Sequence, residues 1–324
     1  MSMIRSKFVG FGHYLPEKVL TNDDLSKIVD TNDEWITDRT GIKQRSIAAD
    51  NECTSDLAYE AALNAIDYAK IEANEIDLVI VATATPDNTF PSTSTKVADK
   101  IGVKKGAPAF DIAAACSGFV YALNMADLMI KSGQAKNALI IGAETMSRLV
   151  DWTDRNTCVL FGDGAGAVVL TATTAEDDNK GMLATKLFAN GGLYDELRTT
   201  GGVSSSKDAG CIQMNGREVF KNAVTYLPDG VKQVAKEAGI TIDDIDWLIP
   251  HQANIRIIEG TGKKLGMDKE KVIISVQNHA NTSAASIPLA LSENIRSGKV
   301  KEGDLIAFTA FGAGFTWGAS VVRL

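Results

Sequence analysis

The chain has 324 residues, of which 45% are hydrophobic and 23% are charged, and its formal net charge is −8. This length suits one large domain or two similar halves with an ample core. The acidic balance argues against a nucleic-acid-binding protein. No apolar run approaches the ~18 residues that span a bilayer, and no signal peptide is evident, so we expect no membrane association and a cytoplasmic location.

The first half of the chain alternates helical and strand patterns. A helical pattern over 55–70 turns through acidic residues into an apolar strand near 78–80. Further on, a stretch of small apolar residues leads into Cys116, where a second helical pattern begins and continues to 131–133. Backbone N–H groups are free at the start of a helix and the helix dipole is positive there, so this position favours a thiolate at Cys116.

The second half repeats this order. A helical pattern over 217–238 again turns through acidic residues into an apolar strand that ends near Ile249, and a last helical pattern runs from 280–282 to 296–298. Alternating strands and helices predict an α/β architecture in which helices cover both faces of each sheet.

Two matches between the halves indicate a duplication. Segment 71–80 resembles segment 240–249 at an offset of 169 residues. Seventeen positions also separate Cys116 from Gly133 and Asn281 from Gly298. We therefore predict two related α/β halves, 1–174 and 175–324, that meet in the polar stretch 173–180.

The duplication suggests which residue faces Cys116 in the site. If Cys116 and Asn281 occupy equivalent places, a pseudo-twofold axis brings two helix N-termini to one site. Asn281 could also be an ordinary helix N-cap, although Thr282 or Ser283 could take that role and leave the amide free.

His251 is the third candidate, because it follows an apolar strand and strand ends collect ligand groups in α/β folds. A buried structural histidine is the alternative, and position alone does not decide between them. Of the three histidines, His279 could also face the site but is better explained as structural, and His13 as packing in a turn. The remaining cysteines form no CxxC pair and are expected to be reduced thiols, with neither a disulfide framework nor a zinc site: Cys53, Cys158 and Cys211.

Two glycine-rich runs, at 161–166 and 311–318, lack the Gly-Lys-Ser/Thr of a phosphate-binding loop. These runs are better explained if the glycines allow the backbone to come close to another group. The backbone amide near Ala313 could then form one arm of an oxyanion hole.

Seven ordered blocks together resemble the β-ketoacyl-acyl-carrier-protein synthase III family of thiolase-fold condensing enzymes. They are TNDEWI (31–36), RTGI (39–42), DIAAACSG (111–118), FGDGAG (161–166), PHQAN (250–254), NTSAA (281–285) and FGAGFTWG (311–318). The resemblance implies five α-β-α-β-α layers and a catalytic set of Cys116, His251 and Asn281. Chain-elongating relatives carry a second histidine in place of this asparagine, and thiolases carry a second cysteine in the late glycine-rich region.

The resemblance further implies that Cys116 accepts an acyl primer, most simply acetyl, from acyl-CoA. Malonyl-acyl-carrier protein then loses CO₂, and its enolate attacks the acyl group while the backbone N–H groups of Cys116 and Ala313 hold the oxyanion. Neither a cofactor nor a metal is implied. The sequence departs slightly from the family pattern at two places. Ala313 replaces a glycine found in some relatives, and residues 215–217 differ from the segment usual in the family.

The resemblance also assigns binding residues. Those implied for the CoA and pantetheine arm are Trp35, Arg39, Arg155, Gly216, Phe220 and Asn254. Those implied for the acidic carrier protein are Arg256, Lys263 and Lys264, which otherwise read as a solvated basic face. Phe90 is implied to close the acyl pocket of the partner subunit in a homodimer.

Three other functions agree with parts of the sequence. The nearest is a synthase III-like acyltransferase of secondary metabolism that uses another primer. A non-catalytic protein that binds acyl-CoA or the carrier would be expected to have lost one catalytic residue, but Cys116, His251 and Asn281 are all present. A papain-like hydrolase lacks its signature around the cysteine and does not explain the duplication.

Overall fold

The computed structural model describes residues 4–174 and 180–324. Its strands are β1 (Ile4–Tyr14), β2 (Lys18–Thr21), β3 (Gln44–Ile47), β4 (Leu78–Ala82), β5 (Ala109–Ile112), β6 (Asn137–Thr145), β7 (Asp163–Thr174), β8 (Gly181–Ala189), β9 (Leu197–Thr199), β10 (Ile212–Met214), β11 (Trp247–Pro250), β12 (Leu305–Gly312) and β13 (Thr316–Arg323). Its α-helices are α1 (Asn22–Leu25), α2 (Asp33–Thr40), α3 (Thr54–Ala69), α4 (Thr93–Ile101), α5 (Gly118–Lys131), α6 (Gly216–Ala238), α7 (Ile255–Leu265), α8 (Val276–His279) and α9 (Ser286–Arg296).

Two mixed sheets carry the fold. The larger has the order β1-β7-β6-β4-β5 and the smaller the order β11-β12-β13-β8. In the larger sheet β4 runs parallel to β5 and β6, while β7 is antiparallel to β6 and β1. The larger sheet is built from residues up to 174 and the smaller from residues after 180. Residues 175–179 of the predicted boundary lie outside the described residues, so the two-domain division stays a prediction.

Helices and sheets alternate in five layers. Helices α3 and α4 cover the outer face of the larger sheet, and α6 and α7 cover the outer face of the smaller one. Helices α5 and α9 lie between the sheets, where Phe119, Leu123 and Ile287 pack against strand residues from both. Strands β4 and β6 are buried along their whole length, as expected of strands covered on both faces.

The repeat is present, but in a different register from the one that the sequence suggested. A short 3₁₀ turn, Ala115–Ser117, precedes α5, and its counterpart Ser283–Ala285 precedes α9. Ala115 and Ser283 open these turns with positive φ angles of 44° and 48°. The structural counterpart of Cys116 is therefore Ala284, and the predicted equivalence with Asn281 is wrong. The equal distances from Cys116 to Gly133 and from Asn281 to Gly298 suggested the wrong pairing, because α9 has 11 residues and α5 has 14.

None of the helices in the described ranges combines the length and the apolar character needed to cross a membrane.

Candidate active site

Cys116 lies between the two sheets, in the 3₁₀ turn between β5 and α5. Its side chain is buried, with 9% exposure. The facing strand end approaches it closely, because a Cβ atom on Gly312 would come within 2.8 Å of the Cys116 backbone nitrogen. Only a glycine at position 312 permits this approach, which brings the late glycine-rich loop against the cysteine.

Burial decides the protonation state of this cysteine. Loss of hydration raises the pKa of the Cys116 thiol to about 12, and the nearby Glu144 carboxylate adds to the increase. The Ser283 hydroxyl and the cysteine's own backbone N–H act in the opposite direction. Desolvation therefore opposes the stabilisation of a thiolate that the start of the helix would provide.

His251 follows β11 and is 2% exposed. Burial lowers the pKa of its imidazole to about 3, so the ring is neutral at physiological pH. Its Nδ1 lies 2.7 Å from the Ser286 Oγ, which also accepts a hydrogen bond from the backbone N–H of Gln252. If the Ser286 hydroxyl donates to Nδ1, the proton of the neutral imidazole lies on Nε2, which is then a hydrogen-bond donor.

Asn281 precedes the second 3₁₀ turn and is 7% exposed. Its backbone forms hydrogen bonds with Leu160 and Gly162 from the other half of the chain. The side-chain Oδ1 accepts from the Ser283 backbone N–H at 2.8 Å. Because the oxygen is engaged in this way, the amide NH₂ is the end available for substrate. Asn281 is therefore not the N-cap of the following helix.

Thr316 holds the loop that contains Ala313. Its hydroxyl is within hydrogen-bonding distance of the Ala313 and Ala114 carbonyls and of the Ser117 hydroxyl. These contacts join the glycine-rich loop to the residues on either side of Cys116. Cys116 and Ala313 line the same cavity, as a site in which both backbone amides hold one oxyanion would require.

A cavity of about 1200 Å³ leads from these residues to the surface. It brings together most of the residues that the sequence singled out: Trp35, Arg39, Cys116, Gly216, Phe220, His251, Asn254, Arg256, Asn281 and Ala313. Asn254 also has a structural role, because its side chain caps α7 by accepting from the Ile257 N–H at 3.0 Å.

Four predicted residues lie outside the lining that the described residues give this cavity: Phe90, Arg155, Lys263 and Lys264. Both lysines are exposed in the last turn of α7, whose second residue, Arg256, does line the cavity. Phe90 is 84% exposed in the loop before α4.

The outer end of the cavity is built around Trp35. The guanidinium carbons of Arg39 and Arg155 each lie 4.4 Å from the centroid of its ring. Two guanidinium groups cannot share one face at this distance, so they flank the indole on both sides. Arg155 also donates to the Asp30 carbonyl at 2.9 Å. A further aromatic ring enters between Trp35 and Arg155 only if the arginine moves.

Residues that sequence reasoning missed lie directly behind the catalytic set. Ser286 orients His251, Ser283 orients Asn281, and Thr316 holds the loop at Ala313. Glu144 is fully buried near the cysteine. A carboxylate at the end of the apolar segment 138–143 is the one sequence signal that could have revealed Glu144.

The other two histidines are engaged elsewhere. His279 Nε2 lies 2.8 Å from Glu293, and His13 Nδ1 lies 2.9 Å from the Ser292 hydroxyl. Across residues 4–174 and 180–324, no group of three or more His, Cys, Asp or Glu side chains is arranged to hold a metal ion.

Comparison with known proteins identifies the family. Residues 110–191 match the model of 3-oxoacyl-[acyl-carrier-protein (ACP)] synthase III, and residues 235–324 match the model of its C-terminal part. A β-ketoacyl-[acyl-carrier-protein] synthase III of Erythrobacter litoralis is 54% identical, over 99% of this chain and 100% of that protein. The chain belongs to the synthase III family.

Solved structures agree with this family membership. A 3-oxoacyl-[acyl-carrier-protein] synthase III from Aquifex aeolicus superposes with a TM-score of 0.93 at 51% identity, covering 98% of this chain and 100% of that one. The priming β-ketosynthase of the R1128 polyketide pathway also has a TM-score of 0.93 but only 32% identity, over 100% and 98%. The predicted thiolase-like fold is confirmed, and the higher identities favour synthase III over a secondary-metabolic relative.

Proposed function

We propose that this protein catalyses the initiating condensation of type II fatty-acid synthesis. It transfers an acyl primer, with acetyl as the expected group, from acyl-CoA to Cys116 and then condenses it with malonyl-acyl-carrier protein. One observation carries the proposal: a buried thiol, a neutral imidazole and an oriented amide border one cavity that opens to the surface.

The first half-reaction exchanges one thioester for another. The Cys116 sulfur attacks the acyl carbonyl of acyl-CoA, and backbone N–H groups of Cys116 and Ala313 hold the tetrahedral oxyanion. When the C–S bond to CoA breaks, the thiol proton leaves with CoA as CoA–SH. Because burial raises the pKa of Cys116, this proton stays on the sulfur until a thioester is bound.

The second half-reaction forms the carbon–carbon bond. Malonyl-carrier protein loses CO₂, and the electron pair left behind forms an enolate whose oxygen accepts hydrogen bonds from His251 Nε2 and the Asn281 amide. The enolate carbon then attacks the acyl-Cys116 carbonyl. Collapse of this intermediate releases 3-oxoacyl-carrier protein and returns the electron pair to the Cys116 sulfur, which takes up one proton from solvent to restore the thiol. A neutral histidine suits this role because it needs to donate a hydrogen bond and not to carry charge.

The partners and the binding residues belong to the same proposal. Trp35, Arg39 and Arg155 would bind the CoA nucleotide, while Gly216, Phe220 and Asn254 would line the pantetheine channel. Exposed cations on α7 would meet the acidic carrier protein: Arg256, Lys263 and Lys264. Neither a cofactor nor a metal is required by these steps.

We also propose a homodimer in the cytoplasm. The exposed Phe90 supports the dimer, since contact with a second copy would cover it and place it at the partner's acyl pocket. Sedimentation velocity should give twice the mass of one chain, and Phe90→Ala should alter the relative rates with acetyl-CoA and longer primers. A monomer at micromolar concentration would contradict this part.

The test of the reaction uses the purified protein, acetyl-CoA and malonyl-acyl-carrier protein. Intact-mass analysis of the carrier should show conversion to the 3-oxobutanoyl form, dependent on both substrates and unaffected by EDTA. The same measurement over a series of acyl-CoA chain lengths identifies the preferred primer. Absence of condensed carrier with every primer would contradict the proposal.

A further inference from the structure

Ser286 is a buried residue at the start of α9 whose hydroxyl contacts the ring of His251. Its Oγ lies 2.7 Å from His251 Nδ1, and the residue is 3% exposed. The same Oγ accepts a hydrogen bond from the backbone N–H of Gln252 at 3.3 Å. Between a hydroxyl and a neutral imidazole either partner can donate, and the direction depends on where the other hydrogens lie. The surroundings of Ser286 therefore bear on the tautomer of His251.

The hydroxyl hydrogen of Ser286 has one acceptor within reach. Among the described residues, the only groups at hydrogen-bonding distance and angle from this Oγ are the Gln252 N–H, which is a donor, and His251 Nδ1. If Nδ1 carried the proton and donated it, the hydroxyl hydrogen would be buried without an acceptor, an arrangement that is rare in folded proteins. This count favours a hydroxyl that donates to Nδ1 and a ring proton on Nε2.

The second ring nitrogen of His251 is the one left for substrate. His251 lines the cavity together with Cys116 and Asn281, and its Nε2 forms no hydrogen bond with any residue in the described ranges. With its proton on Nε2, the ring donates to an oxygen in that cavity, whereas the other tautomer presents a lone pair that repels a negative oxygen. The position of one proton thus decides whether His251 can stabilise the enolate.

Gln252 holds the backbone on which this arrangement depends. Its side chain is 1% exposed and makes four hydrogen bonds, the full number that its amide can form. Its Nε2 donates to the Pro250 and Ile273 carbonyls, and its Oε1 accepts from two backbone N–H groups at the start of α8. The backbone at Gln252 is therefore fixed, which keeps its own N–H directed at the Ser286 Oγ.

We propose that Ser286 is a positioning residue that keeps the proton of His251 on Nε2, from which it is donated in a hydrogen bond to the enolate oxygen. The kinetic consequence of this inference rests on the proposed function, whereas the position of the proton is a property of the resting protein. The Gln252 N–H occupies one lone pair of the Ser286 oxygen, and the hydroxyl hydrogen points at Nδ1. Acyl transfer to Cys116 does not need this arrangement, because the first half-reaction uses no donor from His251.

The ¹⁵N NMR spectrum of the histidine rings measures the proton position without substrate. The chain has three histidines, so selective ¹⁵N-histidine labelling gives few signals, which His13→Gln and His279→Gln assign. In the wild type, His251 should have a protonated Nε2 and an unprotonated Nδ1. In Ser286→Ala both tautomers should be populated, because Nδ1 has lost its donor. A protonated Nδ1 in the wild type would overturn the proposal, even if Ser286→Ala does not fold.

The kinetic effect of Ser286→Ala should be confined to the second half-reaction. Acetylation of Cys116 should keep its wild-type rate. Decarboxylation of malonyl-carrier protein should slow about tenfold, less than on removal of the donor itself, because part of the population keeps its proton on Nε2. Ser286→Cys fills nearly the same volume but is only a weak donor, so it should also slow this step. A wild-type decarboxylation rate in either variant, or an equal loss in both half-reactions, would contradict the proposal.

Ser292→Ala is the matched control. Ser292 lies on the same helix and is fully buried, and its hydroxyl is 2.9 Å from Nδ1 of His13, which does not line the cavity as described. The substitution should change the ring signals of His13 and leave those of His251 and both half-reactions unchanged. Failure of the wild type to decarboxylate malonyl-carrier protein would instead contradict the proposed function, since the ring spectrum still tests the position of the proton.

Discussion

The inner and outer ends of the cavity are built in opposite ways. At the inner end Cys116, His251 and Asn281 are 9%, 2% and 7% exposed, and the two titratable side chains are held in their neutral forms by burial. At the outer end, half-buried Trp35 lies between two guanidinium groups, and the α7 cations are exposed.

This difference separates chemistry from recognition. In a site that excludes water, a few oriented donors stabilise developing charge strongly, because they need no reorganisation when it appears. At the exposed end, solvent and salt screen each charge, so binding there is spread over several weak contacts. Substitutions at the inner end should therefore abolish individual steps of the reaction, whereas those at the outer end should change the affinity for the substrates.

Cys116→Ala should have the largest effect. No acetyl adduct should form on incubation with acetyl-CoA, because the nucleophile is gone and no other group replaces it. Intact-mass analysis measures this directly. Cys158→Ala, which changes a buried thiol outside the described cavity lining, should still be acetylated. An adduct that persists on Cys116→Ala would rule out this residue as the acyl carrier.

His251→Ala and Asn281→Ala should each retain acetylation but lose about 10²- to 10³-fold in decarboxylation of malonyl-carrier protein. Each variant removes one of the donors assigned to the enolate oxygen. Release of CO₂ from labelled malonyl-carrier measures the step. His13→Gln and Asn278→Ala serve as controls, and a normal rate in either active-site variant would remove that residue from its assigned role.

Arg155→Ala should raise the KM for acetyl-CoA about two- to fivefold and leave kcat unchanged. Arg155 would stack on the base of the bound CoA nucleotide once it moves off Trp35, and a cation–π contact is worth about 0.5–1 kcal/mol at exposed sites. Initial rates over a range of acetyl-CoA concentrations test this. Arg148→Ala, on the same segment but bonded to Ala49 and Glu52, is the control. A fall in kcat would show that the two ends are not separable.

Lys263→Glu and Lys264→Glu should have the smallest effect. Each should raise the KM for malonyl-carrier protein about twofold at low salt, and the difference should shrink as salt screens exposed charges. Rates at two salt concentrations provide the measurement. Lys105→Glu, an exposed lysine after α4 on the opposite outer layer, supplies the same charge change elsewhere. A salt-independent effect would mean that the lysines act through the fold.

The limits of sequence reasoning are clearest at the two 3₁₀ turns. The repeat correctly indicated two related α/β units, yet it paired Cys116 with Asn281, whereas the structure pairs Cys116 with Ala284. Spacing to a helix end measures helix length as well as register, and the two helices differ in length. The sequence shows that a helix starts at Cys116, but it does not show the burial that raises the pKa of this thiol.

The alternation of strands and helices, the duplication and the identity of the residues able to do chemistry can be read from the order of amino acids alone. These features depend on local periodicity and residue type, which are visible in the linear sequence before the chain folds. The packing of the layers shows which of these residues meet, and that Ser286 and Ser283 orient His251 and Asn281. Hydrogen bonds, desolvation and close backbone approach arise between segments distant in the chain, so they exist only once the layers pack together.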